Sequence, residues 1–193
     1  GEDAIAFIQK TTSNDPSLLM DGQIQYSCIP NDDGGIVDDL LIYRFTATKF
    51  LLVVNASNIE KDWAWFNSKN DTSAVLTNLS DVWSLFAIQG PNATKVLQRL
   101  TEVELGKMKY YTLQIGKLAE VEDVLISATG YTGAGGFEIY VKNEDAVKVW
   151  EAIMKAGKSE GIKPTGLAAR DTLRLEMGYA LYGNDIDDTT SPM

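Results

Sequence analysis

The chain is organised around the segment Gly34-Gly35-Ile36-Val37-Asp38-Asp39-Leu40-Leu41-Ile42-Tyr43-Arg44-Phe45. After the Gly-Gly turn, its β-branched and aromatic residues are typical of a strand that is buried on both faces. Side chains alternate along a strand, so Asp38 shares its face with the cation Arg44, whereas Asp39 has only aliphatic and aromatic neighbours. We expect Asp39 to be hydrogen-bonded, protonated or facing a ligand, because burying an unpaired carboxylate is very unfavourable. The alternative is an aspartate pair that caps a turn or a β-bulge after the glycines.

The composition is that of an ordinary globular protein and argues against two classes of partner. A length of 193 residues is enough for one large domain or two subdomains. Of these residues, 45% are hydrophobic and 23% are charged, as in ordinary globular proteins. The formal charge of −10 and the pI near 4.5 argue against nucleic acid or an anionic membrane, since both require a basic patch. We expect no membrane-spanning helix and no signal peptide, because no apolar run reaches about 18 residues and no charged-then-apolar leader is visible.

Cysteine and histidine usage limits the chemistry that the chain can perform. Cys28 is the single cysteine, so an intramolecular disulfide is impossible and a reducing compartment is expected. Histidine is absent, which excludes His-based triads, His metal sites and structural zinc. Carboxylates, Tyr, Lys and Arg remain for catalysis, and no metal cofactor is expected.

Hydrophobic periodicity predicts helices interspersed with short strands. Helices are predicted at residues 2–12, 58–68, 90–100, 143–158 and 165–177, the second of them capped by Asn58. Strands are predicted at residues 23–29, 36–45, 50–55, 75–79, 84–89, 110–115, 123–128 and 137–141. The first two strands flank a Gly- and Asp-rich turn at residues 31–35, which predicts a hairpin.

A sequence pattern occurs twice in the chain. Residues 1–9 and 90–98 share the pattern Gly-x-Asp/Asn-Ala-x-x-apolar-apolar-Gln. Hairpin strands and another helix follow each copy, which favours a duplicated α+β unit over a parallel βαβ sheet. Chance similarity over so short a pattern is the alternative. The predicted first helix begins at once and residues 187–193 end in a polar turn, so we expect a fragment of a longer chain.

A glycine-rich loop lies in the segment Thr129-Gly130-Tyr131-Thr132-Gly133-Ala134-Gly135-Gly136-Phe137-Glu138-Ile139-Tyr140. Glycines allow a backbone to approach a ligand closely or to take positive φ. The loop is not a P-loop, because no Gly-Lys-Ser/Thr follows, and it is not a Rossmann fingerprint, because a strand follows instead of a helix. Glu138 lies on the strand predicted directly after this loop and is a candidate ligand-binding carboxylate. The alternative is a plain hairpin loop with a solvated Glu138.

The predicted helix at residues 165–177 places a cation among apolar residues. One face of this helix carries Gly166, Arg170, Leu173 and Met177. An arginine in such a stripe typically holds a carboxylate or a planar polar ligand through its fork of donors. The alternative is that the stem of Arg170 packs against apolar residues while its head reaches water.

Together these stretches resemble the aminomethyltransferases, the T-proteins of the glycine cleavage system. The resemblance spans the chain and is carried by residues 34–40, 54–58, 88–91, 130–133, 137–139, 169–176 and 181–187. Its most specific parts are Ala169-Arg170-Asp171-Thr172-Leu173-Arg174-Leu175-Glu176 and Leu181-Tyr182-Gly183-Asn184-Asp185-Ile186-Asp187. One departure is visible, since the family's loop usually reads Thr-Gly-Glu-Asp-Gly and this chain has Thr132-Gly133-Ala134-Gly135-Gly136. The two lost acids leave Glu138 unaffected.

The resemblance implies an α+β fold, namely an internally duplicated folate-binding core of antiparallel or mixed sheets with packed helices. That core would cover residues 1–193 as two interleaved subdomains, approximately residues 1–85 and 86–193. The family's C-terminal β-barrel domain would be absent from this chain, as would an N-terminal segment. The core alone is therefore expected to be poorly active.

The resemblance also implies a reaction and its partners. A methylene passes from the aminomethyl group on the lipoyl arm of H-protein to tetrahydrofolate, and ammonia is released. Asp39 is implied as the catalytic residue that orients folate and moves a proton, and strand alternation selects the same residue. The implied folate-binding residues are Tyr43, Asn55, Tyr131, Glu138 and Arg170. Glu138 suits the donor pair on a pterin edge, and Tyr131 suits stacking on the flat ring.

Other interpretations use the same core. One is the folate-binding domain of a dimethylglycine or sarcosine dehydrogenase-like protein. Another is a non-enzymatic folate-binding relative in iron–sulfur assembly, whose Lys-Gly-Cys-Tyr-type motif is not matched around Cys28. A bare interaction module is the third, and an absence of folate binding would favour it. The main interpretation implies the bacterial cytoplasm, or the mitochondrial matrix in a eukaryote.

Overall fold

The computed structural model describes residues 1–192, which form two compact units. Residues 1–78 and the returning tail, residues 180–192, form the first unit, and residues 79–179 form the second. The sequence predicted a boundary between the two subdomains near residue 85. It did not predict that the end of the chain belongs to the first unit. Each unit combines helices with an antiparallel sheet, so the predicted α+β fold is confirmed. None of the helices in residues 1–192 has the length and apolarity that a bilayer crossing requires.

The first unit is a three-stranded meander that is preceded and followed by a helix. Its elements are helix α1 (Ala4–Thr11), strands β1 (Ile24–Pro30), β2 (Ile36–Thr46) and β3 (Lys49–Val54), and helix α2 (Ile59–Lys69). The central strand β2 is antiparallel to both neighbours. Its register sets Asp39 opposite Cys28 of β1 and Leu40 opposite Val54 of β3. The predicted hairpin and the predicted strand around the aspartate pair are therefore both present.

The two helices of the first unit share one apolar core with its sheet. Phe7 of α1 and Phe66 of α2 meet edge to face, with ring centroids 5.9 Å apart. Both rings belong to the same buried cluster as Ile42 of β2. Burying such a side chain contributes about 1.5–3 kcal/mol. The helices therefore pack against β2 and help to fix where its polar residues lie.

The start of β2 is tied to the tail of the chain. The backbone N–H of Ile36 donates to the carbonyl of Asp187 at 3.1 Å, and Nδ2 of Asn31 donates to the carbonyl of Asp188 at 2.8 Å. Gly35 lies between these contacts, and a Cβ built on it would collide with the carbonyl oxygen of Asp188. Glycine is required at this position because two backbone segments approach each other closely.

The second unit is a four-stranded antiparallel sheet in the order β4-β7-β6-β5. Its elements are β4 (Trp83–Gln89), α3 (Ala93–Leu97), β5 (Leu113–Leu118), β6 (Val121–Ser127), β7 (Gly136–Lys142), α4 (Asn143–Gly157) and α5 (Leu167–Glu176). Its core joins α3, α4 and the sheet through Leu97, Ile126, Ile139 and Val149. All four side chains are completely buried.

The two copies of the repeated sequence pattern lead into the same succession of elements. The first copy contains α1, which is followed by three strands and α2, and the second contains α3, which is followed by three strands and α4. In each sheet these three strands lie side by side in chain order. The element order therefore agrees with the predicted duplication.

Three predictions of secondary structure differ from the structure, and one of them is the strand predicted at residues 110–115, which is β5 at Leu113–Leu118. Residues 75–79 form no strand, and 81% of the surface of Val75 is exposed, because this apolar segment pairs with no neighbouring strand in the described part of the chain. The helix predicted at residues 90–100 is limited to Ala93–Leu97. The backbone N–H of Leu100 donates a hydrogen bond to the carbonyl of Leu97, three residues earlier, instead of four residues earlier as in an α-helix. The α-helical pattern therefore ends at Leu97.

The packing of Gly35 against the tail can be tested by adding a methyl group. We expect Gly35→Ala to lower the free energy of unfolding by about 1–3 kcal/mol, the usual cost of overpacking a close contact. Gly106→Ala is the matched control, because a Cβ at Gly106 would meet nothing within 4 Å. Urea denaturation of both variants measures the difference, and equal stabilities would contradict the assigned contact.

Candidate functional site

The carboxylate of Asp38 is completely buried in the first unit. Its Oδ1 accepts hydrogen bonds from Nδ2 of Asn55 at 2.7 Å and from the backbone N–H of Asp39 at 2.8 Å. Its Oδ2 accepts one from Nδ2 of Asn58 at 2.7 Å. Arg44, the cation predicted on the same face, instead pairs with Asp21 at 2.9 Å. Arg44 is six residues from Asp38, roughly 20 Å along an extended strand, and is too far away to pair with it. Amide N–H groups bind Asp38 instead of the predicted arginine.

Asn55 brings the two aspartates together. Its Nδ2 donates to Oδ1 of Asp38 and to Oδ1 of Asp39, each at 2.7 Å. Alternation places the two side chains on opposite faces of β2, and this single amide reaches both of them. The register explains the reach, because Val54 lies opposite Leu40 and the next residue, Asn55, comes beside Asp39. Two predicted site residues, Asp39 and Asn55, therefore lie together.

Asp39 is the more accessible carboxyl of the pair, since its side chain is only partly buried. Burial raises the pKa of Asp39, and the negative charge of Asp38 raises it further. The phenol of Tyr26 and the amide of Asn55 oppose this shift by hydrogen bonding to the charged form. Burial also raises the pKa of the Cys28 thiol, which lies across the strand pair from Asp39. The result is a carboxyl that is held in place and is easier to protonate than a surface aspartate.

Helix α2 supplies polar residues to this site that the sequence analysis missed. Asn58 was predicted as a helix cap, but its side chain makes no capping bond and binds Asp38 instead. Lys61 donates from Nζ to the carbonyl of Val37 at 2.5 Å. Asp62 is completely buried. The spacing of Asn58 and Asp62 by four residues, which places them on one helix face, is the signal that could have found this arrangement.

In the second unit, Glu138 lies on β7 between Ala87 of β4 and Ser127 of β6. Thr129 donates from Oγ1 to Oε2 of Glu138, and the hydroxyls of Thr129 and Ser127 lie 2.7 Å apart. Burial raises the pKa of Glu138, whereas the bond from Thr129 and the positive charge of Arg170 lower it. The side chain of Glu138 is partly buried, so the predicted alternative of a freely solvated side chain is wrong.

Arg170 lies close to an aromatic pair. Its guanidinium carbon is 4.4 Å from the centroid of the Tyr131 ring, and Tyr131 stacks with Tyr179 at 5.8 Å. The prediction that Arg170 sits in a buried apolar stripe is wrong, because Arg170 is exposed on α5. The buried arginine of this helix is Arg174, which is 4% exposed. Its side chain donates to Asp171 at 2.8 Å and to the carbonyl of Tyr179 at 3.1 Å.

The glycine-rich loop is shaped by packing within its own unit. A Cβ built on Gly136 would collide with the carbonyl oxygen of Ile88, and one built on Gly133 would collide with the side chain of Met177. Gly136 also takes a φ of +141° and Gly133 a φ of +66°. The loop needs glycine at these two positions because the backbone approaches its neighbours closely and takes left-handed conformations. These requirements are those of a hairpin loop, the alternative given for this segment.

The structure groups most of the predicted site residues but not all of them. Tyr131, Glu138 and Arg170 are associated in the second unit. Tyr43 is completely buried and lies four residues from Asp39, roughly 13 Å along β2. Within residues 1–192 there is no group of three or more His, Cys, Asp or Glu side chains arranged to hold a metal ion.

These features define a class of protein, an α+β protein with two antiparallel sheets and one partly buried acidic site in each unit. The family follows from comparison with known proteins. The GCVT N-terminal domain family matches residues 1–193, and this chain belongs to that family.

Individual relatives agree with the family assignment. The aminomethyltransferases of Flavobacterium psychrophilum and Porphyromonas gingivalis are 63% and 58% identical to this chain over all 193 residues. The chain spans about half the length of these relatives, 54% and 53%. The crystal structure of the glycine cleavage system aminomethyltransferase T from Bartonella henselae is 33% identical and superposes with a TM-score of 0.86 over 100% of this chain and 51% of its own.

A more distant structure shares the fold alone. The heterotetrameric sarcosine oxidase from Corynebacterium sp. U-96 is 16% identical, with a TM-score of 0.55 over 76% of this chain and 69% of its own. This likeness in fold does not favour the dehydrogenase-like alternative.

The role of Asn58 as a donor to Asp38 can be separated from helix capping. Serine caps helices about as well as asparagine, so a capping role predicts a change within about 0.5 kcal/mol for Asn58→Ser. We expect a loss of about 1–3 kcal/mol in the free energy of unfolding, because a buried carboxylate oxygen loses its donor. Asn67→Ser on the exposed part of α2 is the control, and chemical denaturation compares the two.

Proposed function

We propose that this chain is the folate-binding core of an aminomethyltransferase of glycine cleavage. The support is its membership of the GCVT N-terminal domain family and its identity of up to 63% with proteins named aminomethyltransferase. Because the chain spans 54% of that relative's length, the activity is proposed for the whole protein that contains it. The proposed partners are tetrahydrofolate and lipoylated H-protein, and the proposed location is the cytoplasm.

The proposed reaction moves one carbon and two protons. Two nitrogens of tetrahydrofolate bond to the methylene carbon, and the carbon's bonds to the amino group and to the lipoyl sulfur break. The two protons that the folate nitrogens lose go to the departing amine, which leaves as ammonia, and to the sulfur, which becomes a thiol. A group that accepts and returns a proton beside the reacting atoms would therefore accelerate the reaction.

The observation that carries this proposal is the environment of the Asp39 carboxyl. It is partly accessible, it is held by Asn55 at 2.7 Å, and burial raises its pKa. A carboxyl with a raised pKa exchanges protons closer to neutral pH than a surface aspartate does. Asp38 is unsuited to this role because it is completely buried and already accepts three hydrogen bonds.

In the second unit, Glu138 is proposed to bind the pterin edge of folate. Thr129 is the donor to its Oε2 in the described residues, and Oε1 keeps its capacity to accept from the amino and ring N–H groups of a pterin. Tyr131 offers an aromatic face, and Arg170 offers an exposed cation for a carboxylate of the ligand. Contact between Tyr43 and folate stays a prediction, and the complete burial of Tyr43 argues against it.

The division of roles between the aspartates predicts two different defects. Asp39→Asn is expected to abolish aminomethyl transfer with little change in stability, because the amide keeps the shape and loses the proton acceptor. Asp38→Asn is expected to lower the free energy of unfolding by about 1–3 kcal/mol, since its amide would face the donor groups of Asn55 or Asn58. Transfer assays and thermal denaturation of the full-length variants measure both. Equal loss of activity in two folded variants would contradict the assignment.

Coupling between Glu138 and Arg170 predicts non-additive binding. Glu138→Gln is expected to weaken tetrahydrofolate binding by about 1.5–3 kcal/mol, the range of a charge-assisted hydrogen bond. Arg170→Gln is expected to cost less, about 0.5–1.5 kcal/mol, because an exposed charge is screened by solvent. The double variant should lose less than the sum, since the charge of Arg170 acts on Glu138.

Calorimetric titration of tetrahydrofolate into the full-length single and double variants completes this cycle. Lys155→Gln, on the exposed part of α4, controls for the loss of one positive charge. Strict additivity would separate the two residues into independent sites, and wild-type affinity in a single variant would remove that residue from the site.

A further inference from the structure

Asp62 on α2 is a buried carboxyl that the proposed reaction does not use. Its side chain is completely buried, and within residues 1–192 neither Oδ1 nor Oδ2 has a hydrogen-bond donor. A buried carboxylate without donors is strongly destabilising, so such a group needs a partner or a proton.

The neighbours of Asp62 explain why it lacks donors. The carboxylate of Asp38 lies within hydrogen-bonding reach, and Asp39 adds a second negative charge from the same strand. Lys61 is the nearby cation, but its Nζ donates to the carbonyl of Val37 and lies 3.9 Å from the ring centroid of Tyr182. Two carboxylates both accept hydrogen bonds, and they attract each other only when one of them carries a proton.

The hydrogen bonds of Asp38 leave room for one more donor. A carboxylate offers about four lone-pair sites. Oδ1 of Asp38 uses its two sites for Asn55 and the N–H of Asp39, and Oδ2 uses one for Asn58. The remaining site is on Oδ2. A protonated Asp62 would fill it and would satisfy its own O–H at the same time.

We propose that Asp62 is a positioning residue that holds a proton at neutral pH and donates it to Asp38. Asp38 binds Asn55, and Asn55 binds Asp39 at 2.7 Å, so the proton on Asp62 completes a chain that ends at the acid/base carboxyl. The effect of this chain on aminomethyl transfer rests on the proposed function. The presence of the proton does not, because it follows from burial and donor count in the first unit.

The electrostatics of the cluster agree with this assignment. Burial raises the pKa of Asp62 to about 8, the charges of Asp38 and Asp39 contribute to the rise, and Lys61 opposes it. An unfolded aspartate titrates near 3.8, so between about pH 4 and pH 8 the folded protein holds a proton that the unfolded chain has lost. The stabilisation from Asp62 is therefore fully present below pH 4, declines as pH rises through this window and is lost above about pH 8.

The first experiment measures this proton by linkage in the full-length protein. Unfolding equilibria of wild type and Asp62→Asn are compared from pH 5 to pH 9. The amide is neutral in both states, so the ratio of the two unfolding constants should change by roughly tenfold per pH unit up to about pH 8 and level off above it. Asp33→Asn, in the exposed turn before β2, should give a ratio without this slope. A ratio for Asp62→Asn that does not change with pH would overturn the proposal.

A measurement on the wild type covers the case in which Asp62→Asn does not fold. Carbon-13 NMR of the aspartate carboxyl groups should show one completely buried carboxyl that stays protonated at pH 7 and titrates near pH 8. A spectrum at pH 7 in which every aspartate carboxyl is ionised would also overturn the proposal.

The second experiment tests the effect on the reaction through a pH profile. Aminomethyl transfer by wild type should decline as pH rises through about 8, where Asp62 loses its proton. Asp62→Leu, which cannot donate, should lower kcat by about tenfold to a hundredfold through misplacement of Asp39. Asp62→Asn should recover much of that loss and should lack the decline near pH 8.

The outcomes separate this proposal from the proposed function. If the wild type does not transfer aminomethyl groups, the function is wrong and the linkage measurement still decides where the proton is. If the wild type is active and Asp62→Asn keeps the same decline near pH 8, Asp62 is not a positioning residue for the reaction.

Discussion

The burial of one carboxylate, Asp38, constrains the whole first unit. A charge in the middle of a sheet is tolerated only when donors surround it, because its desolvation is otherwise too unfavourable. The donors come from the residue that follows β3, from the residue that precedes α2 and from the backbone of β2 itself. The meander and the start of α2 must therefore hold their places together, and the apolar contacts of Phe7 and Phe66 secure them.

The same hydrogen bonds give two adjacent aspartates different chemical environments. Asp38 accepts three hydrogen bonds and is closed to solvent, which suits a structural anion. Asp39 shares a single amide with it and stays partly accessible, and burial raises its pKa. In the second unit, Glu138 follows a related principle, because a hydroxyl holds one oxygen while burial raises its pKa. Each unit thus presents one carboxyl that is fixed in position without being fully bonded, as a reacting or ligand-binding group requires.

The wrong predictions for Asn58, Arg44 and Arg170 share a cause. Local rules assign Asn58 to a helix cap and Arg44 to the face of Asp38, yet Asn58 binds Asp38 and Arg44 binds Asp21. Helical periodicity marks Arg170 as the buried cation of α5, whereas Arg174 is buried because Asp171 and the carbonyl of Tyr179 accept its donors. Periodicity reports which residues share a face. It does not report which distant carbonyl or carboxylate that face meets.

Residue order alone was enough to predict the α+β class, the strand around Asp38 and Asp39, the glycine-rich loop before β7 and Asp39 as the candidate acid/base residue. Alternation, turn chemistry and the absence of histidine are local properties, so they can be read from residue order. The folded structure was needed to show that Asn55 bridges both aspartates, that the tail returns to Gly35 and that Asp62 is buried beside Asp38. These contacts join residues that are far apart in the chain, and their energies depend on distance, donor count and exclusion of water, which exist only once the chain has folded.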